Sequence, residues 1–157
     1  MKINWLLVFT TVFLMMSQVF AADSLSTYKS AEFTIRYPSN FCVQQSRDRD
    51  GAYFTSPDKR VIFMVYSTTM ITIGNYMWKQ ALLEETISSS TKNGRTYVFI
   101  KAIDGSYCRQ YVEVNDGVSP FRVFGIRYVS ADAYKKYKPL YEKFVGSFVG
   151  SEDTGDP

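Results

Sequence analysis

The stretch RTYVFIKAIDGSYCRQYVEVNDGVSPFRVFGIRYV, residues 95–129, decides the fold. Asp104-Gly105 and Asp116-Gly117, the latter followed by Pro120, divide it into three runs, 95–103, 106–114 and 121–129. Asx-Gly pairs are specific hairpin punctuation, because these residues tolerate the positive φ that tight turns require. The stretch therefore predicts a three-strand antiparallel meander.

Upstream, residues 75–89 predict a helix. Tyr76, Leu83 and Ile87 fall on one side, with Met77 and Ala81 beside them, and Trp78 and Leu82 form a displaced i,i+4 pair. Ser88-Ser89-Ser90 and Asn93-Gly94 close this helix. Residues 32–37 alternate, with Phe33, Ile35 and Tyr37 on one face, as a strand does. Pro38-Ser39-Asn40 turns the chain into a second strand at 41–46, and Asp50-Gly51 leads into a third at 52–55. After the Ser56-Pro57-Asp58-Lys59 turn, VIFMVYS at 61–67 is nearly all apolar and predicts a central strand covered on both faces. Residues 22–30 are expected to be a polar connector.

Downstream, Ser130 is a good N-cap, with Asp132 in the first turn. Tyr134, Tyr137, Tyr141, Phe144 and Phe148 recur every three or four residues, as an apolar helix stripe does. Pro139 is expected to break this helix near Lys138 and to open a second, short one. The order of strands and helices implies an α+β fold, a central antiparallel sheet with helices packed on its faces.

The N-terminus, MKINWLLVFTTVFLMMSQVFA at residues 1–21, has the layout of a cleavable signal peptide. Lys2 supplies a basic start, residues 5–16 an apolar run, and Ala21 or Ala22 a small residue for cleavage. The rival reading, a membrane anchor, needs about 20 apolar residues. Export to the periplasm or beyond is the expectation, with no transmembrane segment after cleavage. The remaining chain is one domain's worth, with the fold at 31–149. Residues 150–157, GSEDTGDP, read as an acidic disordered tail.

Histidine is absent from all 157 residues. That excludes imidazole-activated Ser or Cys nucleophiles and the usual zinc ligand sets. Two cysteines are too few for a thiolate zinc or iron–sulfur site. The net charge of +3 includes Lys2 and becomes +2 without it. Aromatic residues make up 17%, which suits a half-buried sheet.

Cys42 and Cys108 carry three readings. In an oxidising compartment they can pair, closing a loop of about 65 residues for roughly 4 kcal/mol. They can also be separate buried thiols, or reactive ones. Asp48-Arg49-Asp50-Gly51 hints at a calcium loop, but Pro57 stands where an EF-hand needs glutamate, so a turn is favoured. Glu84 and Glu85 read as adjacent carboxylates on a solvated helix face. Lys135, Lys136, Lys138 and Lys143, with Arg109, Arg122 and Arg127, could form a basic patch for headgroups or glycans. The plain alternative is a soluble helix surface.

Four segments, FTIRYPSNF, DRDGAYFTSPDKRVIFMVY, the meander and GIRYVSADAYKKYKPLYEKFVGSF, together resemble the PsbP-like family of exported bacterial domains. The resemblance spans about residues 31–148. It implies a PsbP-like α-β-α sandwich with no known enzymatic activity and with binding or assembly roles at membrane complexes, while the metal and photosystem roles of PsbP-type members do not carry over. None of the matching segments is a catalytic motif, and no cofactor or metal is expected. Family members often carry glycine where this chain has Lys59, which implies a different turn there. The function expected is a non-enzymatic exported binding or accessory domain whose partner is an envelope protein or membrane complex. The alternatives are a carrier of a small apolar ligand or lipid, and an enzyme built on carboxylates, Ser, Tyr or Lys. Nucleic acid is not expected as a partner in that compartment.

Overall fold

A computed structural model describes residues 24–47, 49–68, 84–114 and 121–151. Asn93 and Gly94 both have positive φ, 52° and 70°, and they join two strands. This two-residue turn with left-handed backbone at both positions fits the twist of a hairpin. It connects β6, Glu85–Lys92, to β7, Arg95–Ala102, in a register running from Glu85↔Ala102 to Lys92↔Arg95. The expected helix is therefore corrected over residues 85–89, while residues 75–83 lie outside the described residues. The physical reason is local. Thr86, Ile87 and Thr91 are β-branched and stiff at χ1. Ser88, Ser89 and Ser90 compete for backbone hydrogen bonds and so favour extended chain over helix interior.

The remaining strands are β1 Leu25–Lys29, β2 Phe33–Pro38, β3 Cys42–Gln45, β4 Gly51–Thr55, β5 Val61–Thr68, β8 Cys108–Val114, β9 Phe121–Tyr128 and β10 Val149–Gly150. All recorded pairings are antiparallel. Seven strands form one sheet in the order β3-β4-β5-β9-β8-β7-β6, and β1-β2-β10 form a smaller one. The meander is seen as β7, β8 and β9. Within the supposed connector, residues 25–29 are a strand that pairs with β2 from Leu25↔Pro38 to Lys29↔Thr34. Gly150, assigned to the tail, pairs with Phe33, and the Ser151 N–H donates to the Glu32 carbonyl at 3.0 Å. Residues 152–157 lie outside the described residues, as do 1–23.

One helix is described, α1, Ala131–Gly146. The Ser130 hydroxyl accepts from the Ala133 N–H, as an N-cap should. The expected break at Pro139 is absent, and the helix runs through it. Pro139 and Lys135 are both exposed, which puts the interrupted step of the helical ladder on the solvent side of α1.

The core lies between α1, β2 and one face of the large sheet. Phe33, Ile35, Phe54, Val61, Phe63, Val65, Ile126 and Phe144 are buried there. Phe63 meets Phe144 and Tyr141 at ring-centroid distances of 5.4 and 5.3 Å. A second cluster, Met64, Tyr66, Val98, Ile100, Tyr111 and Val123, occupies the opposite face. Alternation along β5 sends Phe63 one way and Met64 the other, so the strand is buried on both faces as expected. Here the Tyr111 ring lies over Gly125, where an added Cβ would come within 2.6 Å of it.

The Ser56–Arg60 turn anchors the helix. Asp58 accepts from the Ser56 hydroxyl at 2.7 Å, the Arg60 N–H at 3.2 Å, the Tyr137 hydroxyl at 2.9 Å and Lys136 at 3.3 Å. Arg60 Nη2 donates to the Ser130 hydroxyl at 2.9 Å. Lys59 has φ 56°, the left-handed conformation that glycine favours.

Candidate functional site

The residues singled out from sequence do not converge. Cys42 is on the edge strand β3 and Cys108 on β8, with β4, β5 and β9 between them. Four strand spacings of about 4.8 Å separate them by roughly 19 Å, well beyond the Cα distance a disulfide spans. Both are free thiols, so the paired reading is corrected. Cys108 is half-buried against the main core and Cys42 is exposed.

Lys135, Lys136, Lys138 and Lys143 all stand exposed on α1. Lys136 pairs with Asp58 at 3.3 Å, and Lys138 with Glu142 at 3.8 Å. The arginines grouped with them are elsewhere. Arg109 turns to Glu85, Arg127 lies 4.3 Å over the Tyr107 ring, and Arg122 lies 5.5 Å over Phe148. In the Asp50-Gly51 region, the Ser46 hydroxyl donates to Asp50 at 3.1 Å and accepts from the Gly51 N–H at 3.0 Å, which is a turn network. Asp48 lies outside the described residues. Among the described residues no cluster of three or more Cys, Asp or Glu could hold a metal ion. No described helix is long and apolar enough to cross a membrane.

Sequence reasoning missed two features. The first is a polar network on the second-core face. Glu85 opens β6 instead of standing on a helix, and its side chain is almost fully buried. Arg109 clasps both its oxygens, with Nε to Oε1 at 3.1 Å and Nη2 to Oε2, and Tyr107 donates to Oε1. Arg109 Nη1 also reaches the Tyr111 hydroxyl at 3.4 Å. The hydrogen bond to Glu85 raises the Tyr107 pKa, aided by desolvation. Burial raises that of Tyr111 despite Arg109. The network crosses β7 to tie β6 to β8. Glu84 is exposed and does not join it.

The second feature is a groove on the helix-side face of the sheet, where β6, β7 and β8 extend. Cross-strand pairing aligns Ser88, Phe99 and Gln110 in one row and Ser90, Tyr97 and Val112 in the next. Ser89, Val98 and Tyr111 lie between the rows with side chains turned to the other face, so their backbone forms the floor. The groove encloses about 440 Å³. Tyr97 is 42% exposed and Phe99 36% exposed, and none of the lining side chains carries a charge. Gln110 is held by its hydrogen bond to the Tyr128 hydroxyl, 2.8 Å. The readable signal was TYVFI at 96–100, apolar at consecutive positions and hence on both faces of a strand. The arrangement can bind, through two rings flanked by hydroxyl and amide groups. It presents no convergent pair of titratable groups.

No protein family and no curated protein matches the chain. The solution structure of cyanobacterial PsbP (CyanoP) from Synechocystis is similar at a TM-score of 0.48 and 9% identity, covering 81% of this chain and 92% of that one. The Saccharomyces cerevisiae Ran-binding protein Mog1p is similar at 0.45 and 6% identity, covering 80% and 96%. Both resemble this chain in the broad outline of the fold, and no residue role passes from them to it.

Proposed function

We propose that this chain is an exported, non-enzymatic binding or accessory domain that engages an envelope protein through the Tyr97–Phe99 groove. The observation that carries the reading is the exposed aromatic pair on a sheet face whose other half lies under α1. Exposed aromatic side chains beside polar ones are the composition that recognition sites favour. The signal-peptide layout of residues 1–21 and the absence of histidine support export and binding over catalysis. The PsbP-like sandwich with a helix on each face belongs to the same reading. Crosslinking in intact cells is expected to recover an envelope partner with the wild-type chain and to lose it with Tyr97→Ala/Phe99→Ala. Recovery unchanged by the double substitution refutes the site. N-terminal sequencing of fractionated protein is expected to start at Ala22 or Asp23.

The carrier reading has one point in its favour, a groove volume within the 300–1,000 Å³ range of ligand sites. It is the weaker reading, because the described space between α1 and the sheet is filled by Phe54, Phe63, Tyr141 and Phe144.

A further inference from the structure

Among the described strands, β6 ends the seven-stranded sheet, and its side chains from Thr86 to Lys92 are exposed on both faces. The turn at Asn93-Gly94 makes Lys92↔Arg95 a hydrogen-bonded pair, and hydrogen-bonded pairs then recur at every second residue. The Ile103 N–H donating to the Glu84 carbonyl at 2.8 Å confirms that phase at the far end. The Thr91 and Thr96 hydroxyls, 3.1 Å apart, fit the closer side-chain spacing of the alternate pairs. It follows that the N–H and C=O groups of Ile87, Ser89 and Thr91 point off the sheet edge.

Natural edges are blunted by proline, bulges, central charges or shortness. Strand β6 has eight residues in unbroken register, no proline, and no charge between Glu85 and Lys92. Its pattern is also self-complementary. In an antiparallel pairing with a twofold axis at Ser88, Ile87 of each copy faces Ser89 of the other, a match of outward-pointing backbone groups that the symmetry makes twice. The same register sets exposed Glu84 opposite exposed Lys92 at both ends.

We propose that the protein forms a dimer through β6, pairing antiparallel with β6 of a second copy about an axis at Ser88. One sheet then runs through both copies. Because each edge is used once, the assembly closes at two. The axis is normal to the sheet, so both Tyr97–Phe99 grooves open on the same side and flank it. The inference is independent of what those grooves bind. An edge-strand interface is small, so the dimer is reversible and depends on concentration.

Sedimentation velocity on the purified protein is expected to show monomer giving way to dimer between about 1 and 500 µM. Ser89→Pro removes an outward N–H and leaves the β6–β7 ladder intact, so it is expected to yield monomer with an unchanged circular dichroism spectrum. Glu84→Lys and Lys92→Glu are each expected to weaken the dimer about fivefold. The double substitution E84K/K92E restores it. Monomer throughout the range overturns the proposal, as does a dimer indifferent to S89P. A double variant no stronger than either single variant overturns the register.

Discussion

Arg109 and Glu85 hold β6 to β8 from opposite sides of β7, and losing Arg109 takes two charge-assisted hydrogen bonds from a buried carboxylate. Removing one partner of a buried pair costs about 3–5 kcal/mol. Arg109→Leu is expected to lower unfolding free energy in urea by that amount, while an effect below 1 kcal/mol would mean the pair is solvated. Asp58 behaves differently. Burial alone would raise its pKa, but hydrogen bonds from Ser56, Tyr137, the Arg60 backbone and Lys136 outweigh this and bring it from 3.8 to about 2. A carboxyl acidified by folding contributes stability above its unfolded pKa and loses it as pH falls. Thermal stability is therefore expected to drop between about pH 4 and pH 2, and Asp58→Asn to flatten that limb. At Lys59, where a side chain occupies left-handed backbone, Lys59→Gly is expected to stabilise by about 0.5–1 kcal/mol in the same urea assay. Asp58 and Lys59 were legible as a turn because turn chemistry is local. The Glu85–Arg109 pair was not, since it is set by a register between residues 24 positions apart.

Helix α1 carries Pro139 through its middle, where a proline ordinarily costs about 3 kcal/mol against alanine. Pro139→Ala is expected to raise stability by about 1–3 kcal/mol, because it restores a donor to the Lys135 carbonyl. An unchanged melting temperature would show that water already satisfies that carbonyl. In β9, Gly125→Ala is expected to cost about 1–3 kcal/mol by driving a methyl into the Tyr111 ring. Elements with strong local signals were readable from sequence. The Asx-Gly turns gave β7, β8 and β9, and the Ser130 cap gave the start of α1. Strand β6 was misread because an apolar periodicity through Tyr76, Leu83 and Ile87 outweighed its serines and threonines. Strand β1 and the two-residue β10 were missed because their polar sequences become strands only by pairing with β2.

At the scale of the whole molecule, antiparallel α+β architecture was legible, and the division into two sheets was not. That division depends on β2 leaving the large sheet to pair with β1 and β10. The two cysteines were equally opaque, since strand order alone places them four strands apart. The same order creates the candidate site, because α1 covers one half of a sheet face and leaves Tyr97 and Phe99 exposed on the other. Binding through that exposed half is the central claim. Its most direct test is site-specific photocrosslinking in living cells, with the reactive side chain placed at Tyr97, at Phe99 or, as a control, at Lys135 on α1. A discrete adduct with one envelope protein is predicted from positions 97 and 99 and none from 135. Adducts of equal yield from all three positions, or none from 97 and 99, would contradict it.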